Sequence, residues 1–209
     1  MSDNNSATSS TNHHGNLREA LLDRALEHLR EVGPDKISLR ALARDIGVSQ
    51  TAPYRHFTDK TAVLAALAAQ GFRHLGQQTR AAIEGISDAR DAFLKAGFAY
   101  IHFARTNPEL YRLMFGPLLA PELDYPELHE AGEATFTLLV ELVALGLEQG
   151  VFVPGDPLPM ANTAWALVHG LASLLIDGRY QCVGVEDLDA QLERSLRLSL
   201  HGYMRAPAH

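Results

Sequence analysis

The segment Ser38-Leu39-Arg40-Ala41-Leu42-Ala43-Arg44-Asp45-Ile46-Gly47-Val48-Ser49-Gln50-Thr51-Ala52-Pro53-Tyr54-Arg55-His56-Phe57-Thr58-Asp59-Lys60 carries the signals for two short helices around one glycine. Ile37 and Leu42 flank Ser38 as a hydrophobic staple, so Ser38 is expected to cap a helix running through Ile46. Gly47 tolerates the positive φ that stops this helix, and Val48 supplies an apolar side chain to lock it to the next one. Ser49 is a second cap, opening a helix that should finish near Phe57 because Thr58 is the following cap. Together with the helix before it, the segment predicts a three-helix unit containing a helix-turn-helix.

Upstream, Leu17, Leu21, Ala25, Leu29 and Val32 fall on one helical face, Asn16 and Glu19 resemble a capping box, and Gly33-Pro34 stops the pattern. Residues Met1 to Gly15 are Ser, Asn, Thr and His with one charge, Asp3, and predict a disordered tail without the cations that enter a minor groove. Downstream, Asp59 to Ile83 carries Val63, Leu64, Leu67, Phe72 and Leu75 near one face. Further helices are expected at Ser87 to Thr106, Pro108 to Phe115, Glu127 to Gln149, Leu158 to Ile176 and Asp187 to Tyr203, punctuated by glycine and proline. A short extended stretch is allowed between Phe152 and Pro159, but no hairpin pattern occurs. The fold class is therefore all-α: a tail over residues 1–15, a helix-turn-helix domain over 16–62, and a second helical domain over 63–209.

The formal net charge of −7, from 18 Lys and Arg against 25 Asp and Glu, argues against bulk attraction to a phosphate backbone. Its distribution reverses that argument. Leu17 to Lys60 holds eight basic and seven acidic residues, whereas Thr61 to His209 holds ten and seventeen, so the acidity lies away from the motif. Cys182 is the only cysteine, which excludes an intrachain disulfide and suits a reducing cytoplasm. No stretch reads as a bilayer span or a secretory signal, so a cytoplasmic protein without a membrane partner is expected.

Gln50, Thr51, Ala52 and Tyr54 open the third helix with short neutral hydrogen-bonding or methyl-bearing groups suited to base edges, where a core helix would carry Leu or Ile. Ser38, Arg40, Tyr54, His56 and Lys60 supply hydroxyl, guanidinium, imidazole and ammonium donors for flanking phosphates, helped by helix N-terminal amides. Pro53, as the fourth helical residue, should forfeit only one hydrogen bond. Each residue also has a purely structural reading: Ser38 as a cap, Tyr54 and His56 as packing groups, Lys60 paired to Asp59 or Asp45. Those readings leave the clustering unaccounted for. The pattern of Ser38, Ala43, Gly47, Val48 and Ser49, followed by Tyr54, His56, Phe57 and Lys60, resembles the TetR family of bacterial transcriptional regulators, with Pro53 departing from the usual aliphatic. The resemblance implies base contacts from Gln50, Thr51, Ala52 and Tyr54, phosphate contacts from Ser38, Tyr54, His56 and Lys60, and double-stranded DNA with a palindromic operator as partner.

In the second half, Pro108 to Phe115 forms one short helix, and Trp165 and His169 share a face four residues apart before Gly170. This resembles the C-terminal domain of the TetR subfamily named for Trp, His and Gly. Phe98, Ile101, His102, Tyr111, Met114, Phe115, Leu139, Trp165 and His169 are candidates to line an apolar pocket for a small-molecule effector, or else to form a core. The last two long helices are apolar on more than one face, so Val168, Leu171, Leu175, Leu192, Leu196 and Leu200 are expected in a four-helix homodimer interface, as the resemblance implies. The histidines are scattered without metal-binding spacing, His129, Glu130 and Glu133 being the nearest approach, and no nucleophile elbow or phosphate loop occurs. No catalytic residue, metal or cofactor is expected. The competing reading is a helical carrier or enzyme that keeps the helix-turn-helix as scaffold.

Overall fold

The computed structural model describes residues 12–120 and 125–204. Nine α-helices make up the described chain: α1 (Asn12–Val32), α2 (Leu39–Asp45), α3 (Lys60–Ile83), α4 (Ala89–Thr106), α5 (Pro108–Phe115), α6 (Pro126–Glu148), α7 (Pro157–Ile176), α8 (Arg179–Cys182) and α9 (Leu188–Tyr203). The only extended pairing among the described residues is an isolated antiparallel bridge between Phe152, at the edge of the stretch expected to be extended, and Met204, while α7 takes over that stretch from Pro157. The all-α class holds. The expected tail ends earlier than Gly15, because α1 already includes 12–15; lengthening a helix nucleated by Leu17 to Val32 requires no new nucleus. Residues 1–11 lie outside the described residues.

The end of α2 shows how local chemistry sets the turn. Gly47 takes φ +74°, its N–H donates to Arg44 O at 3.2 Å, and the Val48 N–H reaches Ala43 O at 2.9 Å, the paired bonds of a Schellman motif. Ser38 Oγ accepts from Ala41 N at the other end, as expected of the cap. Beyond Ser49 the chain departs from the expected third helix. Ala52–Arg55 is a single 3-10 turn, because Pro53 has no N–H to give Ser49 O, which accepts from Ala52 N at 3.0 Å instead. Proline also disfavours α geometry at Ala52, so its effect exceeds one lost bond. The cap of α3 is Asp59 rather than Thr58: its carboxylate accepts from Ala62 N at 2.8 Å, and a charged acceptor suits the positive end of a helix.

α1, α2 and the 3-10 turn pack around the start of α3 to form a head. α3 then continues into a bundle where it meets α4, α5 and α6, while α4 meets α7 and α9. One buried cluster runs through both, from Leu21, Leu42 and Phe57 through Leu64 and Leu67 to Tyr111, Met114 and Leu128. A second joins Phe93, Val143, Phe152, Leu171, Leu192, Leu196, Leu200 and Tyr203. Two expectations are corrected here. Leu171, Leu192, Leu196 and Leu200 are buried inside their own chain, at 4–9% exposure, so they are not free to face a second copy. α7 is long and apolar enough by length and composition to cross a bilayer, contrary to the expectation that no stretch is; in the fold it seats Ala161, Ala164, Leu171 and Ala172 in the interior.

Candidate nucleic-acid face and internal cavity

The head presents Ser38, Arg40, Gln50, Thr51, Tyr54 and Arg55 exposed, with Ala52, His56 and Lys60 half-buried. Tyr54 is half accessible, whereas Phe57 is 4% exposed and anchors the turn against the core. Ser49 Oγ and Thr51 Oγ1 lie 3.3 Å apart. Lys60 pairs with neither Asp59 nor Asp45: its Nζ donates to the carbonyl of Asp35 at 3.0 Å. That contact holds the ammonium beside the start of α2, where Ser38 and Arg40 also stand. His56 Nε2 is buried without a hydrogen-bond partner, so this nitrogen does not face the exterior as a phosphate donor would. Asp45 locks α1 to α2 through His28 Nε2 at 2.7 Å and Arg24 at 3.1 Å, and these partners hold its carboxyl below the usual carboxylate range.

Arg18 connects the head to the body. Its guanidinium lies 5.5 Å from the centre of the Phe57 ring and donates to Glu127 at 2.8 Å, while Arg73 of α3 donates to the other oxygen of Glu127 at 2.9 Å. Glu127 is in the first turn of α6, where a carboxylate also favours the helix dipole.

The body contains a cavity of about 390 Å³ between α3, α4, α6 and α7. Phe72, Leu75 and Thr79 line it from α3; Phe93, Gly97 and Tyr100 from α4; His129, Gly132, Glu133, Phe136 and Leu139 from α6; and Ala164, Trp165 and Val168 from α7. Of the expected pocket residues, Phe115, Leu139 and Trp165 line it. Ile101 and Met114 are core instead, Met114 lying close over Gly71, and Phe98 is half-buried in the second cluster. His102 is exposed on the surface of α4 and takes no part in the wall.

Tyr111 and His169 sit behind the wall rather than in it. The Tyr111 hydroxyl lies 2.7 Å from His169 Nδ1, and the Tyr100 hydroxyl lies 3.2 Å from the same nitrogen and 3.1 Å from the Tyr111 hydroxyl. Burial raises both phenols, Tyr111 to about 12 and Tyr100 further, and lowers His169 below the ordinary imidazole value of 6.5. A neutral imidazole accepting at Nδ1 fits this arrangement. Because the folded chain binds the His169 proton less tightly than the unfolded chain, its stability is full above pH 6.5 and declines as pH falls from there towards the folded pKa. His169→Asn, which can keep an acceptor without titrating, is expected to flatten the fall in melting temperature below pH 6.5. An unchanged slope would exclude His169 as its source.

Apart from Leu139, the α3 and α6 contributions to the wall are not among the residues expected from sequence, although His129, Gly132, Phe136 and Leu139 follow a helical period along one face. Among the described residues, no three His, Cys, Asp or Glu side chains converge as a metal would need.

Residues 93–204 match the family model described as the tetracyclin repressor-like C-terminal domain, and residues 21–67 that of bacterial regulatory proteins of the tetR family. The tetracycline repressor protein class C of Escherichia coli is 49% identical over 51 residues, 24% of this chain and 23% of that protein. Class D from the same organism is 43% identical over 53 residues, 25% and 24% of the two chains. The match thus spans about a quarter of these relatives' length and falls short of their whole activity. A solved protein of unknown function from Rhodococcus sp. RHA1 is 37% identical over 94% of this chain and 100% of its own, with a TM-score of 0.83. A TetR-family transcriptional regulator from Pectobacterium atrosepticum shares the fold at 22% identity, covering 96% of this chain and 100% of its own, with a TM-score of 0.72.

Proposed function

Because the chain belongs to the tetR family of bacterial regulatory proteins, we propose that it is a cytoplasmic, non-catalytic repressor that binds a palindromic operator as a homodimer and is released by a small molecule in the cavity. The observation that carries this reading is α3: it begins at Lys60 in the head and supplies Phe72, Leu75 and Thr79 to the cavity wall. A guest that favours one placement of α3 against α6 changes the population of head positions in the same step. The Arg18 to Glu127 contact gives α6 a second grip on the head, beside the Phe57 anchor.

Gln50, Thr51 and Tyr54 are the base-reading candidates, with Ala52 close behind, and Ser38, Arg40 and Lys60 the phosphate-binding ones. The dimer face we assign is the outward side of α7 and α9. Leu158, Asn162, Ala166, Gly170 and Leu174 follow one ridge of four-residue steps along α7, all exposed except the half-buried Gly170, and Leu198 projects from α9. A Cβ added at Gly170 would meet nothing within 4 Å, so the middle of the ridge, Ala166 and Gly170, is open as well as small. Small residues at the centre of such a ridge allow two helices to approach closely. Val168 and Leu175, half-buried beside it, border the face.

The test is binding to the DNA upstream of its own gene, followed by fluorescence anisotropy across salt concentrations. Sequence-preferring binding with a steep negative salt dependence is expected, and Lys60→Ala should reduce the slope by about one unit per subunit. Equal affinity for random duplex at every salt concentration would overturn the reading.

A further inference from the structure

We propose that the cavity selects an amphiphilic cation, an apolar body carrying an amine or quaternary ammonium group, over the corresponding anion or neutral alcohol. The proposal rests on the reading of the cavity as an effector site and names the class of guest. Among the residues lining the cavity there is no Lys or Arg, and the one carboxylate is Glu133. Glu133 makes no ion pair among the described residues and stands at the exposed end of the wall, one helical turn from His129. A neighbouring groove that shares Glu133 and Leu138 with the cavity is lined by Glu130, Glu133 and Glu141 with Arg80 as its single cation. Three carboxylates against one guanidinium give this groove a negative potential that concentrates cations beside the cavity.

The interior is built for the rest of such a guest. Phe72, Phe93, Tyr100, Phe115, Phe136 and Trp165 all contribute to the wall, and aromatic faces attract a cation as well as an apolar chain. A carboxylate or phosphate entering the same space would lose its hydration with no ammonium or guanidinium partner, the imidazole of His129 alone standing one turn from Glu133, which makes an anionic guest the least favoured. An alcohol suffers no such repulsion and keeps the apolar contacts, but it brings no positive charge for Glu133 or the ring faces to attract.

Trp165 is the only tryptophan of the chain and lines the cavity, so its fluorescence reports occupancy directly. The probes are dodecyltrimethylammonium, dodecanol and dodecanoate, each below its micelle concentration, with the full-length protein. The cation is expected to perturb Trp165 emission with an affinity about tenfold above the alcohol and further above the carboxylate. In Glu133→Gln, a substitution at an exposed position, the advantage of the cation over the alcohol should collapse, the cation losing far more affinity than the alcohol. If the carboxylate binds as tightly as the cation, or if Glu133→Gln keeps the preference, the charge assignment is overturned and the effector cavity stands. If none of the three perturbs Trp165 or raises the melting temperature, the effector reading fails and this proposal fails with it.

Discussion

Phe57→Ala is expected to lower the unfolding free energy by about 3–5 kcal/mol and to abolish binding to the upstream DNA. Phe57 closes the turn that carries Gln50, Thr51 and Tyr54, and it is buried at 4% exposure in the cluster shared by head and body. Truncation leaves a cavity beneath that turn and removes the ring on which the Arg18 guanidinium lies. The turn is short and 3-10, held by Ala52 N to Ser49 O and by Phe57 N and His56 N to Pro53 O, so it has little stability apart from its anchor. Urea unfolding measures the first effect and anisotropy the second. Binding should be lost at temperatures where circular dichroism still reports a folded chain, and Phe57→Leu should recover part of both. Full DNA affinity in Phe57→Ala would show that the turn holds its geometry without the ring.

The second large effect is expected at the contact between the end of α6 and α9. The Phe152 ring is 2% exposed, meets Phe93 edge-on with centroids 5.6 Å apart and lies 6.0 Å from Tyr203. It rests directly on Gly146, where an added Cβ would fall 2.2 Å from the ring carbons. Phe152→Ala should therefore cost about 3–5 kcal/mol by emptying the site, and Gly146→Ala about 1–3 kcal/mol or more by overfilling it. The two fail for opposite reasons, so the double variant, in which the new methyl enters the space the ring vacates, should be more stable than the sum of the two losses implies. Strict additivity in thermal or urea unfolding would rule out this account.

Elements with strong terminal chemistry were legible in the sequence. Pro108 to Phe115 is read with its observed limits because Pro108 occupies the first helical position and Gly116-Pro117 follows the last. α2 likewise follows from Ser38 and Gly47. The third helix was not legible, because one proline redirected a carbonyl from its i+4 to its i+3 amide and changed the kind of turn. The dimer residues were misassigned for another reason. α7 and α9 carry apolar side chains on more than one face, and periodicity shows that two partners are needed without showing which face meets which. Leu192, Leu196 and Leu200 of α9 went inward against α4, while Leu198 and the α7 ridge from Leu158 to Leu174 were left outside. The cavity was legible in part: Phe115, Leu139 and Trp165 line it, but its wall is assembled from α3, α4, α6 and α7 together, and no single segment encodes it.

The buried cluster that runs unbroken from Leu21 to Leu128 also bears on how the molecule comes apart. The cluster continues across residues 62 and 63, so the head shares its interior with the start of the body and the two are expected to melt together. Hydrogen exchange in α1 and in the buried middle of α3 should therefore report one shared opening. An excised 16–62 fragment would lose Leu64, Leu67 and Phe72, the surface on which its helices close. The expected consequence is a reading surface that moves as one body with α3; protection lost in α1 well before the middle of α3 would count against it.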